Sequence, residues 1–168
     1  MAEEIVNRVT NSELINLDLT DYAPTKTIVE IDLKQFLFEG VILKEKEFRN
    51  ALKVFDFNAY ENKVVAVNCS SDCIIPMWAF MLITSYLNNA ASEIHCGTKN
   101  EVFQKHFLQN IEEIDAEEFR GGKVIVKGCG HVPLTESLYI AITKKLQNTV
   151  SSLMFGEACS AVPVFKKK

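Results

Sequence analysis

The chain has 168 residues, 48% apolar and 24% charged, the balance of a soluble globular protein long enough to bury roughly 70% of its unfolded surface without disulfide staples. Eighteen basic against 22 acidic side chains leave a formal charge of −4, which argues against a generic nucleic-acid binder with its cationic footprint. The acidic start Met1-Ala2-Glu3-Glu4 has no apolar run behind it, and the most hydrophobic stretch, Ile74 to Ile83, is half of the about 20 residues needed to cross a bilayer. Neither export nor membrane insertion is expected, and the expected setting is the cytoplasm.

In chain order, residues 1–26 read as a docked arm in which Ile15, Leu17 and Leu19 alternate with polar residues at the period of a half-buried strand. Val29, Ile31 and Leu33 alternate in the same way and suggest a strand near a sheet edge. From Leu43 to Phe55 the spacing of Phe48, Ala51, Leu52 and Phe55 predicts an amphipathic helix. The β-branched run Lys63 to Cys69 predicts a strand covered on both faces, and Ser70, Ser71 and Asp72 offer caps for a helix from Ile74 to Asn89. Glu93 to Cys96 is the next strand; Thr98 and Glu101 have capping-box spacing before a helix with a Val102, Phe103, Phe107 and Ile111 stripe. Gly121-Gly122 marks a turn, Lys123 to Lys127 a strand, and Gly128-Cys129-Gly130 lets the chain bend out of it. Leu134, Leu138, Ile142, Leu146, Val150 and Leu153 then predict one long helix from Pro133, and Val162 to Phe165, in the tail 161–168, a short edge strand. No internal repeat is visible. Strands alternating with helices imply a single α/β domain over 1–168, with a mostly parallel sheet, helices on both faces, and short antiparallel edge strands from the arm and the tail.

In a parallel sheet, ligands collect beyond the carboxyl ends of the strands, where helix N-termini favour anions. That rule draws attention to Cys69, Ser70, Ser71, Asp72 and Cys73 after one strand and to Gly128, Cys129, Gly130 and His131 after another. The five cysteines are widely spaced, lack a Cys-x-x-Cys pair, and are expected to be reduced. Cys69, Cys129 and His131, with Cys159 if it folds back, form a candidate thiol or metal site whose soft ligands would suit zinc or iron. Against this stands the ordinary reading, that free cysteines are small buried hydrophobes, and Cys96, inside a strand, is expected only to pack. Ser70, Ser71, Asp72, Gly128 and Gly130 are the candidate anion-binding loops. A dinucleotide fingerprint at Gly128-x-Gly130 is disfavoured because Pro133 takes the third glycine position and no following strand with a ribose-binding acid is foreseen. His95 and His106 have no partner identifiable from the sequence.

The segments Asn68 to Leu82, Lys127-Gly128-Cys129 and Leu153 to Phe165 together resemble the domain-of-unknown-function family 2480, over nearly the whole chain. The resemblance implies an intracellular bacterial setting and no established activity. It matches Cys69, Cys129 and Cys159 to motif cysteines, places Cys73 where alanine is usual, and gives His131 no fixed counterpart; an association of relatives with iron–sulfur assembly fits three soft ligands. The expected function is a binding or accessory role in thiol, metal or iron–sulfur handling. The alternatives are a thiol-dependent enzyme using Cys129, and a structural or interaction domain whose cysteines only pack. An unidentified protein partner and a homodimer are both compatible with the chain, and no segment identifies an interface.

Overall fold

A computed structural model describes residues 14–128 and 130–168. Its elements run β1 (Leu14–Asp18), β2 (Ile28–Asp32), α1 (Glu45–Val54), β3 (Val64–Asn68), α2 (Met77–Leu87), β4 (Glu93–Cys96), α3 (Lys99–Glu113), β5 (Lys123–Lys127), α4 (Glu136–Leu146), β6 (Ser152–Phe155) and β7 (Val162–Lys166). The fold is α/β and mostly parallel. The strands form two sheets: β2-β3-β4, all parallel, and β1-β5-β6-β7, parallel except for β7, which runs antiparallel to β6. The tail thus supplies the antiparallel edge strand, whereas the arm's strand β1 pairs parallel with β5. Pro163 is tolerated on β7 because an edge strand has one row of backbone groups without a ladder partner.

Two compact units follow the two sheets, a central one from Thr25 to Lys105 and a flanking one made of the described residues up to Pro24 with those from His106 to Lys168. In the central unit, strand alternation sends Ile31, Val65 and Val67 to one face, where they meet Phe48 and Leu52 of α1 and Ala79, Ile83 and Leu87 of α2. Ile28, Val64 and Ala66 face the other way, onto Val102 and Phe103 at the start of α3. That helix begins with the expected capping box: Thr98 N donates to Glu101 Oε2 at 2.7 Å and Glu101 N to Thr98 Oγ1 at 3.3 Å. In the flanking unit the buried side chains are Leu17, Val124, Ile125, Val126 and Leu153 on the strands, with Phe107, Ile111, Leu138, Ile142 and Leu146 on the helices. Asn110 Nδ2 donates to the Tyr22 carbonyl at 2.8 Å, tying the later part of α3 to the turn after β1.

Contrary to the sequence reading, the chain does carry an internal repeat. β3, α2 and β4 recur as β5, α4 and β6 with every boundary advanced by 59 residues, and the last turns of α1 and α3 keep the same offset. The buried positions correspond as well: Phe48 and Leu52 to Phe107 and Ile111, and Ala79, Ile83 and Leu87 to Leu138, Ile142 and Leu146. β2 and β1, each followed by a short 3-10 turn, are related by 14 residues and join β3 and β5 in the same register, with Asp32 opposite Asn68 and Asp18 opposite Lys127. Even the left-handed backbone recurs, at Asn62 and Gly121 and at Gly97 and Gly156. Chemical identity survives at only a few of these places, which hides the repeat from inspection of the sequence.

Two helices are shorter than their patterns predict. α2 starts at Met77, because Pro76 serves as its extended N-cap with ψ 140°. α4 ends at Leu146, and Leu153 of the expected stripe lies instead on β6. A parallel strand therefore does follow α4, completing a β5-α4-β6 unit that the sequence reading did not foresee.

Candidate thiol site

The loop from β3 to α2 is held by the end of the neighbouring strand. Asp32, the last residue of β2, accepts hydrogen bonds from Ser70 N at 3.0 Å, Ser70 Oγ at 2.5 Å and Lys34 N at 2.9 Å. Burial alone would raise the Asp32 carboxyl; the bonds from Ser70 and Lys34, with the Lys34 charge, outweigh it and hold the group below the usual aspartate range. Ser71 Oγ donates to the Gly40 carbonyl at 2.8 Å, and Cys73 N donates to the Ser71 carbonyl at 2.9 Å. Fixed at both serines, the loop brings Cys69 Sγ to 3.8 Å from Cys73 Sγ. Both thiols are half-buried against the apolar core of the central unit. Burial pushes the Cys69 thiol up from its ordinary value, and the Cys73 thiol and the Asp32 charge push in the same direction.

Cys73, which the family resemblance places where alanine is usual, is thus the neighbour of Cys69. The available signal was two thiols four residues apart around Ser-Ser-Asp, after an aspartate-ended strand. His131 and Cys159 are exposed in the flanking unit, Cys159 in the turn between β6 and β7. Cys129 lies outside the described residues. Of the anion-loop residues, Ser70 and Ser71 spend their hydroxyl donors on Asp32 and Gly40, Asp72 is exposed, and Gly130 has φ +111° with open space around it. Cys96 does not pack as expected, since it is exposed at the end of β4.

The repeat shows why the pair belongs to the central unit. Gly128 occupies the position equivalent to Cys69, and a Cβ added there would lie 2.1 Å from Leu134 Cδ1 and 2.7 Å from the Tyr139 hydroxyl. Leu134 fills the space that a side chain would need, and Val132 stands in the place of Cys73. Among the described residues, Cys69 and Cys73 have no third histidine, cysteine or carboxylate close enough to complete a ligand set. Asn68 Oδ1 is buried without a hydrogen-bond partner, but strand alternation directs Asn68 away from the face of Cys69. His95, in the same unit, does have partners: Lys105 Nζ lies 3.3 Å from Nδ1 and Glu93 Oε2 lies 3.3 Å from Nε2.

Among the described residues, no helix is long and apolar enough to cross a membrane. A family model described as a protein of unknown function (DUF2480) matches residues 3–167. No curated protein and no solved structure matches the chain.

Proposed function

The chain belongs to this family of proteins of unknown function, and from its own residues we propose that it is a binding or accessory protein in thiol and soft-metal handling, with Cys69 and Cys73 as a bidentate pair. The observation that carries this reading is the 3.8 Å separation of the two sulfur atoms in a loop clamped by Asp32 and Gly40. Thiolate–zinc bonds of about 2.3 Å at a tetrahedral angle span about 3.8 Å between sulfurs, so the pair is spaced for a thiophilic cation with little movement. Two protein ligands leave half of a tetrahedral shell for ligands from a donor or acceptor, which suits transfer better than a closed structural centre.

The raised Cys69 pKa bears on the choice between handling and catalysis. A thiol that keeps its proton at neutral pH is a poor nucleophile, whereas a cation can displace that proton when it binds. Binding should therefore strengthen as pH rises and release protons. The test is an anaerobic titration of the reduced protein with Cd2+, followed by sulfur-to-metal absorption in the ultraviolet. One equivalent is expected, lost in both Cys69→Ser and Cys73→Ser and kept in Cys96→Ser and Cys159→Ser. A band that survives both of the first two substitutions would overturn the assignment.

A further inference from the structure

α2 carries no charged residue from Met77 to Leu87, although much of it meets solvent. Ala79, Ile83 and Leu87 are fully buried on one side. On the other, Met77 is 72% and Met81 73% exposed, Ser85 is exposed, and Ile74 just before the helix is 93% exposed. With Asn88 these residues recur at spacings of three and four, forming a single stripe centred on Met81. A solvent-facing stripe of methionine and isoleucine without charge has the composition of an interface core.

The repeat supplies the control for this argument. α4 occupies the equivalent place in its own unit and buries Leu138, Ile142 and Leu146 in the same way. Outward, however, it has Glu136 where α2 has Met77 and Lys144 where α2 has Ser85. Ile140, matching Met81, is the one large apolar side chain exposed on that helix. The scaffold accepts charge at these positions, so its absence from α2 is a property of that face and not of the fold.

We infer that the Ile74–Met77–Met81–Ser85 stripe is the self-complementary interface of a homodimer, its occupant being the same stripe of a second copy. A twofold axis at Met81 sets the two helices antiparallel, so that Met81 meets Met81, Met77 meets Ser85 and Ile74 meets Asn88. Residues near such an axis face their own kind, and a charge there would face its like; the stripe has none. The N-terminal end of each helix then lies beside the C-terminal end of the other, where their dipoles attract. Ser85 can be covered without loss because its hydroxyl already donates to the Leu82 carbonyl at 2.6 Å.

Sedimentation velocity over a dilution series tests this on the full chain. The wild-type protein is expected at twice the chain mass, Met81→Glu at the single-chain mass with its thermal transition retained, and Ile140→Glu still at twice the mass. Ser85→Arg, a milder change at an exposed position, is expected to weaken association as well, and it keeps the test decisive should Met81→Glu fold poorly. A wild-type monomer throughout, including one that captures some different protein, overturns the inference; so does dissociation caused by Ile140→Glu but not by Met81→Glu or Ser85→Arg.

Discussion

The central and flanking units solve the same packing problem with different side chains. In the central unit rings do much of the filling: Phe36 meets Phe48 at 5.2 Å and Phe55 at 5.5 Å between centroids, Phe55 meets Phe57 at 4.9 Å, and Phe48 meets Trp78 at 6.1 Å. In the flanking unit the counterparts of Phe55, Phe57 and Trp78 are Ile114, Ala116 and Ser137, while Leu138 fills the place of Ala79. Phe48 and Phe107, like Ile83 and Ile142 and like Leu87 and Leu146, keep the same side chain at equivalent buried helix positions, all with no exposure. The difference teaches that the scaffold dictates which positions are buried and leaves the side chains that fill them free to diverge. Cys69 against Gly128, and the bare face of α2 against the charged face of α4, are divergences on which the proposed site and the proposed interface rest.

The largest effect should come from the largest side chain the units share. Phe48→Ala and Phe107→Ala should each cost about 3–5 kcal/mol in urea denaturation. Unequal losses, with one well below that range, would break the equivalence. Gly128→Ala should come next, at about 1–3 kcal/mol, since its methyl group collides with Leu134. Its counterpart Cys69→Ala, which only shortens a half-buried side chain, should cost roughly 1 kcal/mol or less. A neutral Gly128→Ala would mean that Leu134 can yield, and that the flanking unit could have hosted a thiol too.

Smaller again, Asp32→Ala should cost about 1 kcal/mol, as for loss of a helix or turn cap, and should speed alkylation of Cys73 several-fold by releasing Ser70. Unchanged alkylation would show that the clamp does not hold the pair. The same carboxylate has a pH signature. With its folded pKa depressed, its contribution is intact above the ordinary aspartate range near pH 4 and is lost as pH falls through the lower folded value, because the unfolded chain takes up the proton first. Hydrogen exchange in the loop should therefore loosen on acidification in the wild type and less so in Asp32→Asn. Least in size is the Cys69 profile: its alkylation should rise with pH at higher values than for free cysteine, and stability should decline as pH rises through the thiol range, where the unfolded chain ionises first. Coincident profiles would remove the argument against a Cys69 nucleophile.

Local pattern alone determined much of the outline: α/β class, strands at β3 and β5 from β-branched runs, the capping box at Thr98, the edge strand of the tail, and attention to the loop at Cys69. Periodicity and caps are short-range properties, and they can be read wherever neighbours in sequence set the conformation. Only the tertiary structure decided that the strands form two sheets, that β1 pairs with β5, that Leu153 leaves a helical stripe for a strand, and that the chain repeats itself. It also brought Cys73 to Cys69, because Asp32 and Gly40, distant in sequence, hold the loop between them. Strand pairing and loop closure are set by partners far along the chain, and no local pattern names a distant partner.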